Sequence, residues 1–196
     1  MPLWGTSDSD ESKPKNLTTA EKKEVYATNS GWVREAGSIL SGNGNTNADP
    51  EVLVAVSGLA DSIGAADVTE VEWITTTADK SEGFTLSVRV RYNEEVTVTG
   101  SPTIAVTNGN QGSGSGRGPH TLVYASGTGT NELVFSLAIA AANAATNAND
   151  VLSIGAQNIL KPGGATIKDT ADGTTDAAVA ISGAQGTAAG TLTVTA

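Results

Sequence analysis

Between residues 84 and 106 apolar and polar side chains alternate almost without error. Phe84, Leu86, Val88, Val90 and Tyr92 fall on one side of an extended chain, and Thr85, Ser87, Arg89 and Arg91 on the other. A period of two is that of a half-buried strand; a helix would scatter these residues around its circumference. The alternation resumes at Val96 and Val98, and again at Ile104 and Val106 beyond Gly100-Ser101-Pro102. The pattern predicts a strand, a tight corner and a second strand. Further candidates lie at 70–77, 95–99, 102–107, 120–125, 131–138, 150–155, 165–168 and 177–182. Gly, Asn or Pro marks the breaks, which is the spacing of a sandwich or barrel.

The N-terminal third reads differently. Residues 1–17 are polar, and SDSDESKPKNL buries too little apolar area to offset its ordering entropy, which predicts a flexible arm. Trp4 breaks that composition, either as decoration or as an aromatic anchor. Thr18-x-x-Glu21 fits a capping box opening a short helix through about Val25. Asn29-Ser30-Gly31 signals a turn, Trp32-Val33 begins a strand, and EVLVAV from Glu51 supplies another. So small a unit is marginal alone, so residues 18–67 should lean on the second domain or on a neighbouring molecule. The expected division is therefore 1–67, arm and attachment unit, and 68–196, a β-sandwich. Within the latter, 108–118 (NGNQGSGSGRG) should be a mobile loop and 138–149 (AIAAANAATNAN) a turn or two of helix. Residues 191–194 form a last strand, closing the sandwich edge or pairing with another subunit.

Composition narrows the chemistry. Aromatics are 4% of the 196 residues, so the core must be built from Val, Ile, Leu and Ala. The formal charge of −10 is spread evenly, with ten acids to five bases through residue 67 and eleven to six after it. No basic arm is held in reserve, which argues against nucleic acid or an anionic membrane as partner. Cysteine is absent and His120 is the single histidine, so neither a thiolate metal site nor a Cys/His pair can form. No apolar run approaches the roughly 20 residues that span a bilayer. The start, Met1-Pro2-Leu3-Trp4-Gly5, lacks a signal peptide's basic flank and apolar run, so a soluble protein not exported by that route is expected.

Individual residues offer little catalytic promise. His120 follows Pro119 at the mouth of the glycine loop and reads as an exposed strand-start residue. Glu94 and Glu95, being adjacent on a strand, point to opposite faces and cannot flank one glycosidic bond; they read as a surface turn. Asp169, Asp172 and Asp176 around Gly173 depart from the calcium-loop pattern and read as turn chemistry. Arg117 reads as a solvated loop charge. No cofactor or metal site is expected, and no enzyme.

Three blocks nevertheless follow one another in a familiar order. They are Tyr92-Asn93-Glu94-Glu95-Val96-x-Val98-x-Gly100-x-Pro102-x-Ile104, Tyr124-x-Ser126-Gly127-x-Gly129-Thr130-x-x-Leu133-x-Phe135, and Gly163-Gly164-Ala165-Thr166-Ile167-x-Asp169-x-Ala171. Together they resemble the immunoglobulin-like repeat of large bacterial surface adhesins. Asn93 replaces the usual Ser, and Asp172-Gly173 stands where Gly-Asn is common. The first 60 residues, with Trp-Gly, Lys13-Pro14-Lys15, Val25-Tyr26-Ala27-Thr28, Gly31-Trp32-Val33 and Glu51-Val52-Leu53-Val54, are similar to small virion structural proteins of tailed phages of marine cyanobacteria.

The resemblance implies an all-β capsid decoration protein on the virion surface, displaying an immunoglobulin-like β-sandwich. Its partner would be the major capsid or another virion protein, bound through Trp4, Tyr26, Trp32 and Val33, and it would be a homo-oligomer. A neck, tail or fibre component is the alternative within that class. From another class comes a carbohydrate- or cell-surface-binding module contacting a host-surface glycan through Asn108 to His120.

Overall fold

The computed structural model describes residues 13–42, 44–109, 119–141 and 145–196; Trp4, most of the N-terminal arm and most of the glycine loop lie outside them. Strand makes up 46% of the chain and helix 12%, which places it in the all-β class.

The N-terminal unit opens with α1 (Thr19–Lys23), capped as its sequence predicts. Thr18 Oγ1 accepts from the Glu21 backbone amide at 3.2 Å, and the Glu21 carboxylate accepts from the Thr18 amide at 2.8 Å. The helix stops two residues early because Val25 enters a strand. That strand, β1 (Val25–Thr28), forms a hairpin with β2 (Gly31–Arg34), and β3 (Glu51–Ala55) adds to β2 antiparallel. Gly31 has φ +128°, and a Cβ there would lie 2.0 Å from the Val54 carbonyl oxygen, so this turn admits no side chain. A short helix, α2 (Leu59–Ser62), packs Leu59 onto Val25, Ala27, Trp32 and Val56 as a small separate core.

The remainder consists of β4 (Val68–Trp73), β5 (Ala78–Asp79), β6 (Phe84–Thr99), β7 (Thr103–Gly109), β8 (His120–Ser126) and β9 (Thr130–Ile139). After these come β10 (Val151–Ser153), β11 (Gln157–Asn158), β12 (Thr166–Asp169), β13 (Ala180–Ile181), α3 (Gly183–Ala189) and β14 (Thr191–Thr195). Hydrogen-bonded neighbours run β3-β2-β1-β6-β9-β8-β7-β10-β14-β5, with β4 and β12 also on β6. The pairing is mixed: β1 meets β6 in parallel at Ala27 and Glu94, and β14 meets β5 in parallel. Inward residues of β4, β6, β7, β8, β9, β10, β12 and β14 share one cluster, so the sheet path wraps around a single main core. Val88 opposite Phe135 and Val90 opposite Leu133 lie at its centre.

Several expectations are corrected. The run 84–99 is one strand with a bulge between Arg91 and Val96, where the pairing to β9 shifts register. The corner at Gly100-Ser101-Pro102 then sends β7 to pair with β8 and β10 instead of folding back on β6. Among the described residues of 138–149 there is no helix; β9 continues to Ile139 and turns follow. The stretch 177–182 supplies only the two-residue β13, and 183–189 form α3, whose Ser182–Gln185 capping box went unread. The last strand, β14, closes the path within the chain, against β10 and β5.

The first unit leans on the second domain. Its sheet is continuous with the main sheet, and it covers the polar face of β6 near Arg91.

Candidate functional site

The seam between β1 and β6 collects most of the chain's unusual polar groups. Alternation puts Arg91 on the outward face of β6, but the N-terminal unit covers it, leaving it 5% exposed. Its Nη1 donates to the Lys23 carbonyl at 3.0 Å and to Glu35 at 2.8 Å, and lies 2.7 Å from Glu132; its Nε donates to Glu72 at 3.1 Å. Arg89, one pleat away, reaches Glu72 and Glu132 at 3.2 and 3.3 Å. Five residues from three elements and a loop thus form one charge network around two guanidinium groups. Beside it opens a cleft of about 600 Å³, walled by Tyr26, Glu35, Pro50 and Asn131 among others. Burial, with Glu132 close by, pushes the Glu35 carboxyl up to about 7 despite Arg91. Burial likewise pushes the Tyr26 phenol up to about 12.

On the other side of the β1–β6 contact lies a second cavity, of about 260 Å³. Glu94, Glu95, Asp169 and Thr170 contribute to its wall, with Thr28 and Asn29 opposite. Glu94 and Glu95 are not a surface turn. They sit in the bulge of a continuing strand, with Glu94 1% exposed and Glu95 half-buried. Glu94 occupies an inward position of the same even-numbered series as Val90 and Tyr92, a signal present in the sequence and overlooked. Asp169 is also buried, its Oδ1 accepting from the Ala171 amide at 2.8 Å. Asp172 closes the next turn, accepting from the Thr174 and Thr175 amides at 2.8 Å each. Those bonds hold its carboxyl near 2, the turn chemistry expected of it.

The residues named as a partner surface behave otherwise. Tyr26, Trp32 and Val33 are 5%, 1% and 3% exposed, packed by the chain's own β1–β3 layer, α2 and the charge network. As folded they cannot be a contact face: their apolar area is already spent in making the unit cohere. Trp4 lies outside the described residues. Among the described residues, the large apolar side chains of this unit that are exposed are Leu40 and Val52, each about half exposed.

His120 begins β8 as predicted but is buried, not exposed. Its Nε2 shares a hydrogen bond with Thr146 Oγ1 at 3.1 Å, and burial lowers its pKa against the pull of Asp150. Thr146 and Asp150 are fully enclosed, and Asn108 donates to Asp150 at 3.1 Å. The group ties the β7–β8 end of the sheet to the 145–150 turn. Among the described residues no three acidic or imidazole side chains converge as a preformed metal cluster, and no helix is long and apolar enough to cross a membrane.

A scan against protein-family models finds no match to this chain, and searches of curated proteins and of solved structures return none.

Proposed function

We propose that this chain is a non-enzymatic virion structural protein, a capsid decoration protein that binds its particle through the N-terminal unit and displays an immunoglobulin-like sandwich. The observation that carries the reading is the open edge of β3. This strand ends the hydrogen-bonded path, paired with β2 on one side only. It presents Val52 half exposed, with Leu40 of the preceding turn exposed to the same degree. Uncovered edges with apolar side chains are sites where a second chain adds a strand. The attachment surface accordingly moves from Tyr26, Trp32 and Val33 to the strand that shields them.

The ordered blocks from Tyr92 to Ala171 support the sandwich reading, since they fall on β6, β8, β9 and β12, which surround the main core. The glycan reading gains no such support. Asn108 and His120, the flanks of its loop, are both turned into the protein.

Removing residues 1–67 would not test this cleanly, because it would also strip Arg91 of Lys23 and Glu35. Val52→Lys is the better variant, because it changes an exposed side chain and disturbs no core. The substituted chain is expected to melt as the native one does and to lose co-sedimentation with particles. Co-sedimentation at native stoichiometry would overturn the assignment.

A further inference from the structure

We propose that the cavity between β1, β6 and the end of β12 binds a hydrated calcium-class divalent cation, with Glu94 and Asp169 as its carboxylate ligands. The site stands independently of the virion reading.

The first observation is Glu94 itself. Both carboxylate oxygens are buried, and neither has a hydrogen-bond donor. A carboxylate enclosed without a partner costs several kcal/mol unless a positive species compensates it. The second is the character of its surroundings. No Lys or Arg lines this cavity, nor the smaller one adjoining it beneath Asp61 and Asp172. The charges acting on Glu94 are Asp169, Asp67, Asp172 and Asp61, all acids, in contrast with the Arg-filled network across β1. Among the described residues, a cation is provided for one side of the seam and none for the other.

A proton would neutralise Glu94, and burial among those acids does push its carboxyl up to about 8. It would leave Asp169 and its neighbours uncompensated. A divalent ion answers both carboxylates together. The volume, about 260 Å³, holds an ion and several waters at about 30 Å³ each. With two carboxylates in place of a full ring of ligands, the remaining positions fall to water and to the oxygens of Thr28, Asn29 and Thr170, which share the wall. Calcium tolerates such irregular, partly aqueous coordination better than magnesium, at dissociation constants on the order of 0.1–1 mM.

The test is calorimetric titration of the full chain with calcium chloride at about pH 7, at constant ionic strength, in two buffers of different ionisation enthalpy. Melting curves with and without ~10 mM calcium accompany it. Expected are saturable one-to-one binding, release of close to one proton as Glu94 ionises, and a Tm rise of about 3–10 °C. Glu94→Gln, near-isosteric and with no hydrogen bond to lose, should fold and lose all three responses. Asp176→Asn, on the exposed turn, should keep them. Absence of saturable binding in the native chain would overturn the proposal. So would equal calcium responses in Glu94→Gln, which would place the ion elsewhere.

Discussion

Arg91 holds a position where strand alternation alone puts a solvated side chain, yet it is nearly sealed beneath the N-terminal unit. Its guanidinium is the shared partner of Glu35, Glu72 and Glu132. Removing it takes the cation from Glu35 and leaves Glu72 and Glu132 with Arg89 alone, and breaking a buried ion network at one partner costs roughly 3–5 kcal/mol. Arg91→Met, which keeps much of the apolar stem, is therefore expected to lower the unfolding free energy from urea titration by that amount. Arg91→Lys should recover only a minor part, since a single ammonium cannot reproduce both the Nε and Nη1 contacts. Sequence carried half of this. Alternation located Arg91 on the outward face, and nothing local said that another element would cover that face. Glu94 is the mirror case: its inward parity was legible, but the bulge that buries it depends on β9 changing register at Thr130.

At the scale of elements, the N-terminal layer depends on three segments approaching closely. The β1–β2 turn is tight because the β3 backbone passes directly over Gly31, with Val56 donating to the Ser30 carbonyl at 3.1 Å. Gly31→Ala combines an unfavourable φ with a clash against backbone that has no flexible end to move. It should cost at least 2 kcal/mol, measured by urea unfolding, and should lift β3 from its neighbours. Ala substitution at Gly58, equally positive in φ but with open space around its Cβ position, is the natural comparison and should cost less. The capping box of α1, the turn at Asn29-Ser30-Gly31 and the long alternation of β6 were all readable, because each arises within a few residues of chain. The expected helix ran to about Val25 and no strand was assigned to 25–28, since Val-Tyr-Ala-Thr becomes β1 only once β2 and β6 are beside it.

For the whole molecule, the continuous sheet and the Arg91 network make independent melting of the two units unfavourable. Fluorescence, which senses Trp32 in one unit and Trp73 in the other, and circular dichroism should report one coincident transition. That transition should also depend on pH in a definite direction. Glu35 and Glu94 are raised in the folded chain from an ordinary value of 4.5 to about 7 and about 8. A group raised on folding contributes stability that is complete below its unfolded value and lost as pH rises through its folded one. Without divalent ions, Tm should therefore fall between about pH 5 and pH 8, and Glu94→Gln should flatten the upper part of that fall. Asp79 and Asp172, lowered by their turn hydrogen bonds, act oppositely at more acid pH, and His120, lowered by burial, opposes the fall up to its ordinary value of 6.5, so the fall is clearest above that. A Tm that rose from pH 5 to 8 in chelator would contradict the burial of both carboxyls.

What the sequence determined by itself was everything set by neighbours along the chain: the strand period, the capping boxes where they were sought, the glycine turns, the acidic balance and the β class. Tertiary structure alone decided which faces became interior. The N-terminal unit was read from its sequence as too small to stand unaided; that its sheet continues onto β6 followed only from the tertiary structure. The same closure buried Tyr26, Trp32 and Val33 and left Val52 outside. It also gave Arg91 its acids while leaving Glu94 without a base. Burial is a property of chain segments far apart in sequence meeting in space, and the alternation of side chains along one strand fixes its two faces without saying what will lie against either.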